Sequence, residues 1–433
     1  MIDTVLGLIT QFLEGKYTSL SGQYRESPHI VHYYKEIIRY WSKLNFVINK
    51  TLRSMKQPGK ISHREKAIFL YSTYRFKMEN ATIDSIINEL KVLKEVNVNT
   101  FLEKLSTFSW KRAFEEKSKE EILSIEEAMP SFFIEHLLPV MTLDFLKKNI
   151  QLLNDIKKSE DFTVRINDLF GKIPRTILTD KIMTSLKNKG LDIKRDSDIS
   201  EILHIPINRK KKIIQNDWYK KGNLIVQDRA SAIVVKVLDP QPNELICDMC
   251  AAPGVKTSMI AQFTNNRARI IAGEYLPERA FQSKKLLSHL NVQNTALITT
   301  DSIELPIRFE EYFDRILLDA PCTGSGTLLS NPELKWRQNE EFLHQNVVLQ
   351  KKLLEKAIEM LKPDGILVYS TCSFYPEEGE YQVREIINKL KPLNIQKWTL
   401  PSYKINGSEI PGTGRLFPSI HKTQGFFIAK FQK

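Results

Sequence analysis

The sequence predicts an α/β protein whose carboxyl half is a doubly wound, mainly parallel sheet, preceded by a small α+β segment and an all-helical segment. Three observations predict it. From Asn223 onward, short apolar runs alternate with loops and helical stretches: Leu245–Asp248, Ile270–Gly273, Ala296–Thr299, Arg315–Leu318 and Ile366–Tyr369, the pattern of buried parallel strands separated by crossover helices. Polar, chemistry-bearing residues gather where these runs stop, beyond the carboxyl ends of the strands, where such sheets bind ligands. Residues 1–126 instead carry apolar side chains at three and four spacing, as in Ile37, Ile38, Trp41, Leu44, Val47 and Ile48, with no strand-like alternation.

Taken in order, the first helical block breaks at Gln57-Pro58-Gly59. The next block starts at Ser62, with Glu65 three residues on, the spacing of a capping box. Ser85 to Glu95 supplies a further helix. Neither repeats nor metal-ligand clusters occur here, so residues 1–127 read as an all-helical module whose basic residues form a solvated face or an RNA-facing one. Between 128 and 222 the texture is mixed. Pro130, Pro139, Pro174 and Pro206 punctuate short helices and strand-like pieces such as Phe162–Asn167. The segment ends on Asn208-Arg-Lys-Lys-Lys212 with Trp218 and Tyr219 close behind, either a solvated charge run or a surface that tracks a nucleic-acid backbone and stacks on bases. Residues 223–433 form the sheet domain. Its clearest helix carries Leu343, Val347, Leu354, Ile358 and Leu361 on one face and is expected to end at Pro363-Asp-Gly365. After a long connection, Gly425–Phe431 reads as a last strand.

Bulk properties narrow the partners. A 433-residue chain that is 42% hydrophobic and 26% charged has length for two or three cores. Asp3 and Glu14 interrupt the first residues, which read as an amphipathic helix and not as a signal peptide. No apolar run is long enough to span a bilayer, so the expectation is a cytoplasmic protein with no membrane partner and no obligate protein partner. The net charge of +12 favours polyanions, because lysine and arginine on phosphate release counterions. The four cysteines, at 247, 250, 322 and 372, make no disulfide framework in a chain this long, and reduced thiols are expected. Cys247 and Cys250 have the spacing of a zinc or redox pair, but Cys247 falls in a strand and no second ligand pair follows.

Asp248-Met-Cys-Ala-Ala-Pro-Gly-Val-Lys-Thr257 leads from the first strand of the sheet into a helix. It lacks the early glycine of a phosphate loop, and Val255 separates Gly254 from Lys256. The second strand ends at Glu274, placed for ribose hydroxyls, with Arg279 one turn into the next helix, and Asp301 follows the third strand, where it can accept from an adenine amine. An acid after a strand often merely caps a helix. Three in register after successive strands favour S-adenosylmethionine over a dinucleotide, whose pyrophosphate wants a glycine-rich turn.

Two thiols follow later strands: Cys322 in Asp319-Ala-Pro-Cys-Thr-Gly-Ser-Gly326 and Cys372 in Tyr369-Ser-Thr-Cys-Ser373. If those strands are neighbours, both sulfurs open on one substrate. Carbon 5 of a pyrimidine is a poor nucleophile until a thiolate adds at carbon 6 and makes the ring an enamine. Asp319, protonated or sharing a proton with ring nitrogen 3, would stabilise that adduct, Lys256 would hold the base or the cofactor edge, and a second thiol would remove, or help remove, the carbon 5 proton. Inert packing is the plainer reading of a buried cysteine.

Cys250-Ala-Ala-Pro-Gly-Val-Lys-Thr257, Asp319–Gly326, Tyr369–Ser373 and Gly425-Phe-Phe-Ile-Ala429 resemble the signature motifs of the Sun (Fmu, RsmB-like) family of RNA 5-methylcytosine methyltransferases. The resemblance extends through Gly222–Ser231 and Phe162–Asn167, and more weakly through Ile61–Lys94. It implies a Rossmann-like class I methyltransferase domain over 223–433, an RRM-like subdomain over 128–222 and a NusB-like, RNA-binding helical domain over 1–127. By the same resemblance Cys372 is the nucleophile and Cys322 the product-release residue. S-adenosylmethionine would be held by Cys250, Ala251, Ala252, Pro253, Gly254, Val255, Lys256, Glu274, Asp301 and Asp319, with Arg279 added from the strand reading. Val255 stands where a second glycine is usual, and Glu274 where aspartate is common. The implied function is RNA cytosine carbon-5 methylation, on ribosomal RNA in the first place. The alternatives are transfer RNA as substrate, or an RNA-binding assembly factor with a vestigial methyltransferase domain.

Overall fold

A computed structural model describes residues 1–16, 27–55, 61–90, 97–154, 161–171, 173–305 and 309–433. Two compact units emerge: residues Met1–Leu138 together with Ser330–Gln338, and residues Pro139–Leu329 together with Asn339–Lys433.

The first unit is helical. Helices Ile2–Leu13, Pro28–Arg39, Trp41–Ser54, His63–Met78 and Val98–Ser106 bury Val5, Leu6, Ile9, Ile37, Ile38, Ile48, Leu70 and Phe101 in one core. The capping box is realised. Ser62 Oγ accepts from Glu65 N at 3.1 Å and Glu65 Oε2 accepts from Ser62 N at 2.7 Å. The periodic run from Ile37 to Ile48 spans two helices, because Tyr40, at φ −103° and ψ 14°, closes one and opens the next. Apolar spacing reports a shared buried face, not backbone continuity. Gln57-Pro58-Gly59 lies outside the described residues. The helix expected over Ser85–Glu95 appears as Ile83–Leu90, with 91–95 outside the described residues. Ser330–Gln338 belongs to this unit: Lys335 is fully buried and its Nζ donates to the Arg39 and Ala128 carbonyls at 3.0 and 3.1 Å.

The second unit carries two sheets. The smaller is antiparallel and built from β1 (Asp161–Ile166), β2 (Lys194–Arg195), β3 (Ile202–Pro206) and β4 (Leu224–Val226) in the order β2-β3-β1-β4. Helix Arg175–Asn188 covers it through Leu178, Ile182 and Leu186. Arg165 of β1 is fully buried and donates through Nη2 to Ser258 Oγ at 2.6 Å, while Gln262 Nε2 donates to the Ile166 carbonyl at 2.9 Å. These bonds fix the helix Val255–Phe263, whose amino end borders the site described below.

The larger sheet comprises β5 (Leu245–Asp248), β6 (Arg269–Glu274), β7 (Thr295–Thr299), β8 (Phe313–Asp319), β9 (Leu361–Thr371), β10 (Lys391–Pro392), β11 (Leu400–Pro401), β12 (Thr413–Leu416) and β13 (Phe426–Gln432). Its order is β11-β12-β13-β9-β8-β5-β6-β7, with β10 on β13. The run β9-β8-β5-β6-β7 is parallel and β13 joins β9 antiparallel. The five expected parallel strands are all present, and β13 occupies the stretch read as the last strand. Strand order reverses between β8 and β5, which opens a crevice at their carboxyl ends. Helix Glu340–Met360 ends earlier than expected, and Pro363-Asp-Gly365 sits inside β9 as an irregularity where the register shifts between Phe313 and Arg315 of β8. A proline disfavours α geometry at the residue before it, here Lys362. The connection from Ser373 to Gly425 holds three short strands that no sequence pattern marks.

Candidate active site

The loop from Met249 to Gly254 leaves β5 and closes on itself: Ala251 N donates to the Gly273 carbonyl at 2.9 Å and Gly254 N to the Ala251 carbonyl at 2.7 Å. Gly254 takes φ +96° at the amino end of helix Val255–Phe263, a conformation that side chains resist. Asp248, at the end of β5, is 1% exposed. Its Oδ2 accepts from Thr257 Oγ1 at 2.7 Å, while Oδ1 is buried with no well-formed hydrogen bond among the described residues. Burial raises this carboxyl to about 6, against the opposing pull of Thr257.

Glu274 closes β6 and is buried, its Oε1 accepting from Leu276 N at 3.0 Å. Arg279, exposed on the next helix, pairs with Glu274 at 3.4 Å and donates to the Ala252 carbonyl at 3.1 Å. Here it braces the loop against the acid. Asp301 caps the short turn Ser302–Glu304 by accepting from Ile303 N at 3.0 Å. Cys247 is buried in β5, and burial pushes both its thiol and that of Cys250 upward, with Asp248 adding to each. Both therefore keep their protons. Ala252 and Val255 are half-buried and Pro253 is exposed.

The reactive groups meet at the carboxyl ends of β8 and β9, where Asp319 lies opposite Ser370. Asp319 Oδ1 accepts from Ser370 Oγ at 2.6 Å, and Oδ2 pairs with Lys256 Nζ at 2.6 Å. Burial acts to lower the Lys256 ammonium, but Asp319, Cys372 and Asp248 outweigh it and hold the group above the ordinary lysine range. The Cys322 and Cys372 sulfurs lie 3.2 Å apart. Cys322 is pushed well above the usual thiol range, first by that hydrogen bond and then by burial, so it is a thiol that keeps its proton. Two glycines make the approach possible. Gly326 N donates to the Cys372 carbonyl at 2.9 Å and Gly425 N to the Gly326 carbonyl at 3.0 Å, which ties the two cysteine loops to the start of β13.

Sequence reasoning did not single out the residues that hold these loops. The Arg415–Glu380 pair is fully buried at 2.6 Å, and Arg415 donates to the Ser373 and Tyr375 carbonyls at 2.8 and 3.2 Å. Glu378 accepts from Thr323 of the Cys322 loop. Acidic residues in loops are ordinarily solvated, so nothing in their sequence context pointed inward. In the basic run, Lys210, Lys211 and Lys212 are exposed, whereas Trp218 and Tyr219 are half-buried and pack on the core of the small sheet.

Residues 235–432 match the 16S rRNA methyltransferase RsmB/F family. A 28S rRNA (cytosine-C(5))-methyltransferase of Mus musculus is 36% identical over 227 residues, 50% of this chain and 28% of that protein. A tRNA (cytosine(49)-C(5))-methyltransferase of Pyrococcus abyssi is 31% identical over 316 residues, 66% of this chain and 96% of that protein. The chain thus spans under a third of one relative's length and nearly all of the other's. A solved methyltransferase homologue from Pyrococcus horikoshii superposes with a TM-score of 0.62 at 31% identity, covering 73% of this chain and 99% of the other. The match at 31% identity along nearly the full length of the P. abyssi relative, together with the family match over the sheet domain, places the chain in the RsmB/F methyltransferase family.

Proposed function

We propose that the chain is an S-adenosylmethionine-dependent RNA cytosine carbon-5 methyltransferase whose substrate is ribosomal RNA. The observation that carries the proposal is the pair of sulfurs 3.2 Å apart beside the Lys256–Asp319 ion pair, an arrangement suited to one thiol that adds to a base and one that handles a proton. The residues present fit the cofactor. Asp248 leaves a buried carboxylate oxygen with no well-formed hydrogen bond among the described residues, and Glu274 is a second buried acid at the next strand end; donors such as an amino group and ribose hydroxyls satisfy groups of that kind. Asp301 follows β7 and the loop Cys250–Lys256 follows β5, both at the carboxyl edge of the parallel strands. Bound there, S-adenosylmethionine supplies an electrophilic methyl group.

The chain's own residues do the rest. Cys372 as thiolate bonds to carbon 6, and the ring's electrons move toward nitrogen 3, which takes up a proton passed from the Lys256 ammonium through its partner Asp319 and returns it as carbon 5 accepts the methyl group. Carbon 5 is then nucleophilic and takes the methyl group. Cys322 gives its own proton to solvent, its thiolate takes the carbon 5 proton, the carbon 5–carbon 6 double bond re-forms, and the bond to Cys372 breaks with the electron pair returning to sulfur. The proton on Cys322 is held by its hydrogen bond with Cys372 and by burial, and the first of these weakens once Cys372 becomes a thioether, whose uncharged sulfur is a poor acceptor.

The ribosomal reading is supported by the family description and the mouse relative. The P. abyssi relative, matched over 96% of its length, keeps transfer RNA as the second reading. The helical segment 1–127 serves as a NusB-like RNA-binding domain and 128–222 as an RRM-like subdomain, in a cytoplasmic enzyme; among the described residues no helix is long and apolar enough to cross a membrane. With methyl-labelled cofactor and unmodified RNAs of both classes, Cys372→Ala abolishes transfer and Cys322→Ala accumulates a covalent protein–RNA adduct. Equal losses with no adduct would overturn the role assignment. RNA binding without 5-methylcytosine formation would indicate a vestigial domain.

A further inference from the structure

Glu378 is a fully buried carboxyl group that the chemistry above does not use. It lies in the turn Pro376–Glu378, six residues beyond Cys372. Its Oε1 accepts from Thr323 N at 2.9 Å and from Gln350 Nε2 at 3.0 Å, and its Oε2 accepts from Thr323 Oγ1 at 2.5 Å. Gln350, on helix Glu340–Met360, also donates to the Pro321 carbonyl at 2.8 Å. The main-chain groups directly before and directly after Cys322 are therefore held by one buried pair. The same network reaches the other cysteine loop: Ser373 Oγ lies 3.1 Å from Ser325 Oγ and 3.5 Å from Thr323 Oγ1.

Burying a carboxylate is unfavourable unless it is fully hydrogen-bonded. This one is bonded to Thr323 through both its main-chain N–H and its hydroxyl, in the loop that carries the thiol whose place matters most in the last step. While Cys372 is bonded to carbon 6, the carbon 5 proton is within reach only of a group beside the Cys372 sulfur, so a small displacement of Cys322 stops release without stopping attack. We propose that Glu378 and Gln350 are positioning residues for product release, holding the Cys322 sulfur against that of Cys372. The proposal rests on the methyltransferase reading for its kinetic outcome, but its geometric content is testable without activity.

The test uses the full chain carrying Glu378→Ala, Gln350→Leu or Glu378→Gln. First, the two-electron oxidant diamide converts the Cys322 and Cys372 thiols to a disulfide, read by peptide mass spectrometry. The expected result is closure slowed about tenfold or more in Glu378→Ala and Gln350→Leu, and near the wild-type rate in Glu378→Gln, which keeps an acceptor for Thr323 N. An unchanged rate in the first two variants overturns the proposal. Second, with methyl-labelled cofactor and RNA, first-turnover transfer should stay within about fivefold of wild type, while steady-state turnover falls on the order of 100-fold and labelled adduct accumulates. Loss of first-turnover transfer in step with turnover, without adduct, also overturns it. If Glu378→Ala does not fold, Gln350→Leu reads the same outcomes from the opposite side of Cys322. If the wild type transfers no label while the disulfide result holds, the positioning stands and the methyltransferase reading is what fails.

Discussion

Gly326→Ala is the smallest change that forces the two cysteine loops apart. A Cβ at this position would lie 2.1 Å from the Gly425 carbonyl oxygen, 2.7 Å from the Gly425 carbonyl carbon and 3.0 Å from the Cys372 carbonyl oxygen. Tight carbon–oxygen contacts in proteins settle at about 3.3 Å, so the loop must retreat by about 1.2 Å. All three obstacles are backbone, and none can rotate aside. The retreat lengthens the bonds from Gly326 N to the Cys372 carbonyl and from Gly425 N to the Gly326 carbonyl, now 2.9 and 3.0 Å. Overpacking contributes about 1–3 kcal/mol and each weakened hydrogen bond up to about 1 kcal/mol, which gives a destabilisation of about 1–5 kcal/mol. A displacement near 1 Å at reacting groups reduces turnover about 100-fold. Urea unfolding and label transfer to RNA measure the two effects. Stability within about 0.5 kcal/mol of wild type, with turnover reduced less than about twofold, would refute the reasoning.

Two further predictions concern the buried charges. Glu380→Gln leaves Arg415, 1% exposed, without its carboxylate partner, and should cost about 3–5 kcal/mol in urea unfolding; a loss under about 1 kcal/mol would contradict the clamp on the loop after Cys372. Burial holds Asp248 at about 6, above an unfolded value of about 3.9, so the folded chain binds this proton more tightly. Its charged form therefore opposes folding above pH ~6, and the penalty disappears as pH falls from about 6 to 4. Asp248→Asn should thus gain about 2–3 kcal/mol relative to wild type at pH 7.5 compared with pH 4, and a difference independent of pH would show that the carboxyl is not held out of water.

Much of the frame was legible because it is local. The five parallel strands announce themselves as apolar runs bounded by polar loops, and Ser62 with Glu65 marks a helix start through contacts three residues long. The meeting of Cys322 and Cys372 was legible by one further step, since loops after adjacent parallel strands open on the same edge. What escaped depends on long-range contact. Nothing near Tyr40 distinguishes one bent pair of helices from a single one, and Pro363-Asp-Gly365 reads equally as a helix stop or as a bulge within β9. Glu378 and Glu380 look like solvated loop acids until Thr323, Gln350 and Arg415 are brought to them from positions 28–55 residues away. Ser330–Gln338, between the Cys322 loop and a sheet-domain helix, gives no sign in sequence that its Lys335 and Trp336 bond to carbonyls of helix Pro28–Arg39.

Peptide mapping of the adduct formed by Cys322→Ala with RNA and methyl-labelled cofactor is the direct measurement of the two-thiol chemistry. The labelled nucleotide should be found on the peptide that contains Cys372, bonded through sulfur and carrying the transferred methyl group. Attachment at any other residue, or release of methylated RNA at the wild-type rate with no adduct, would contradict the division of roles between Cys372 and Cys322.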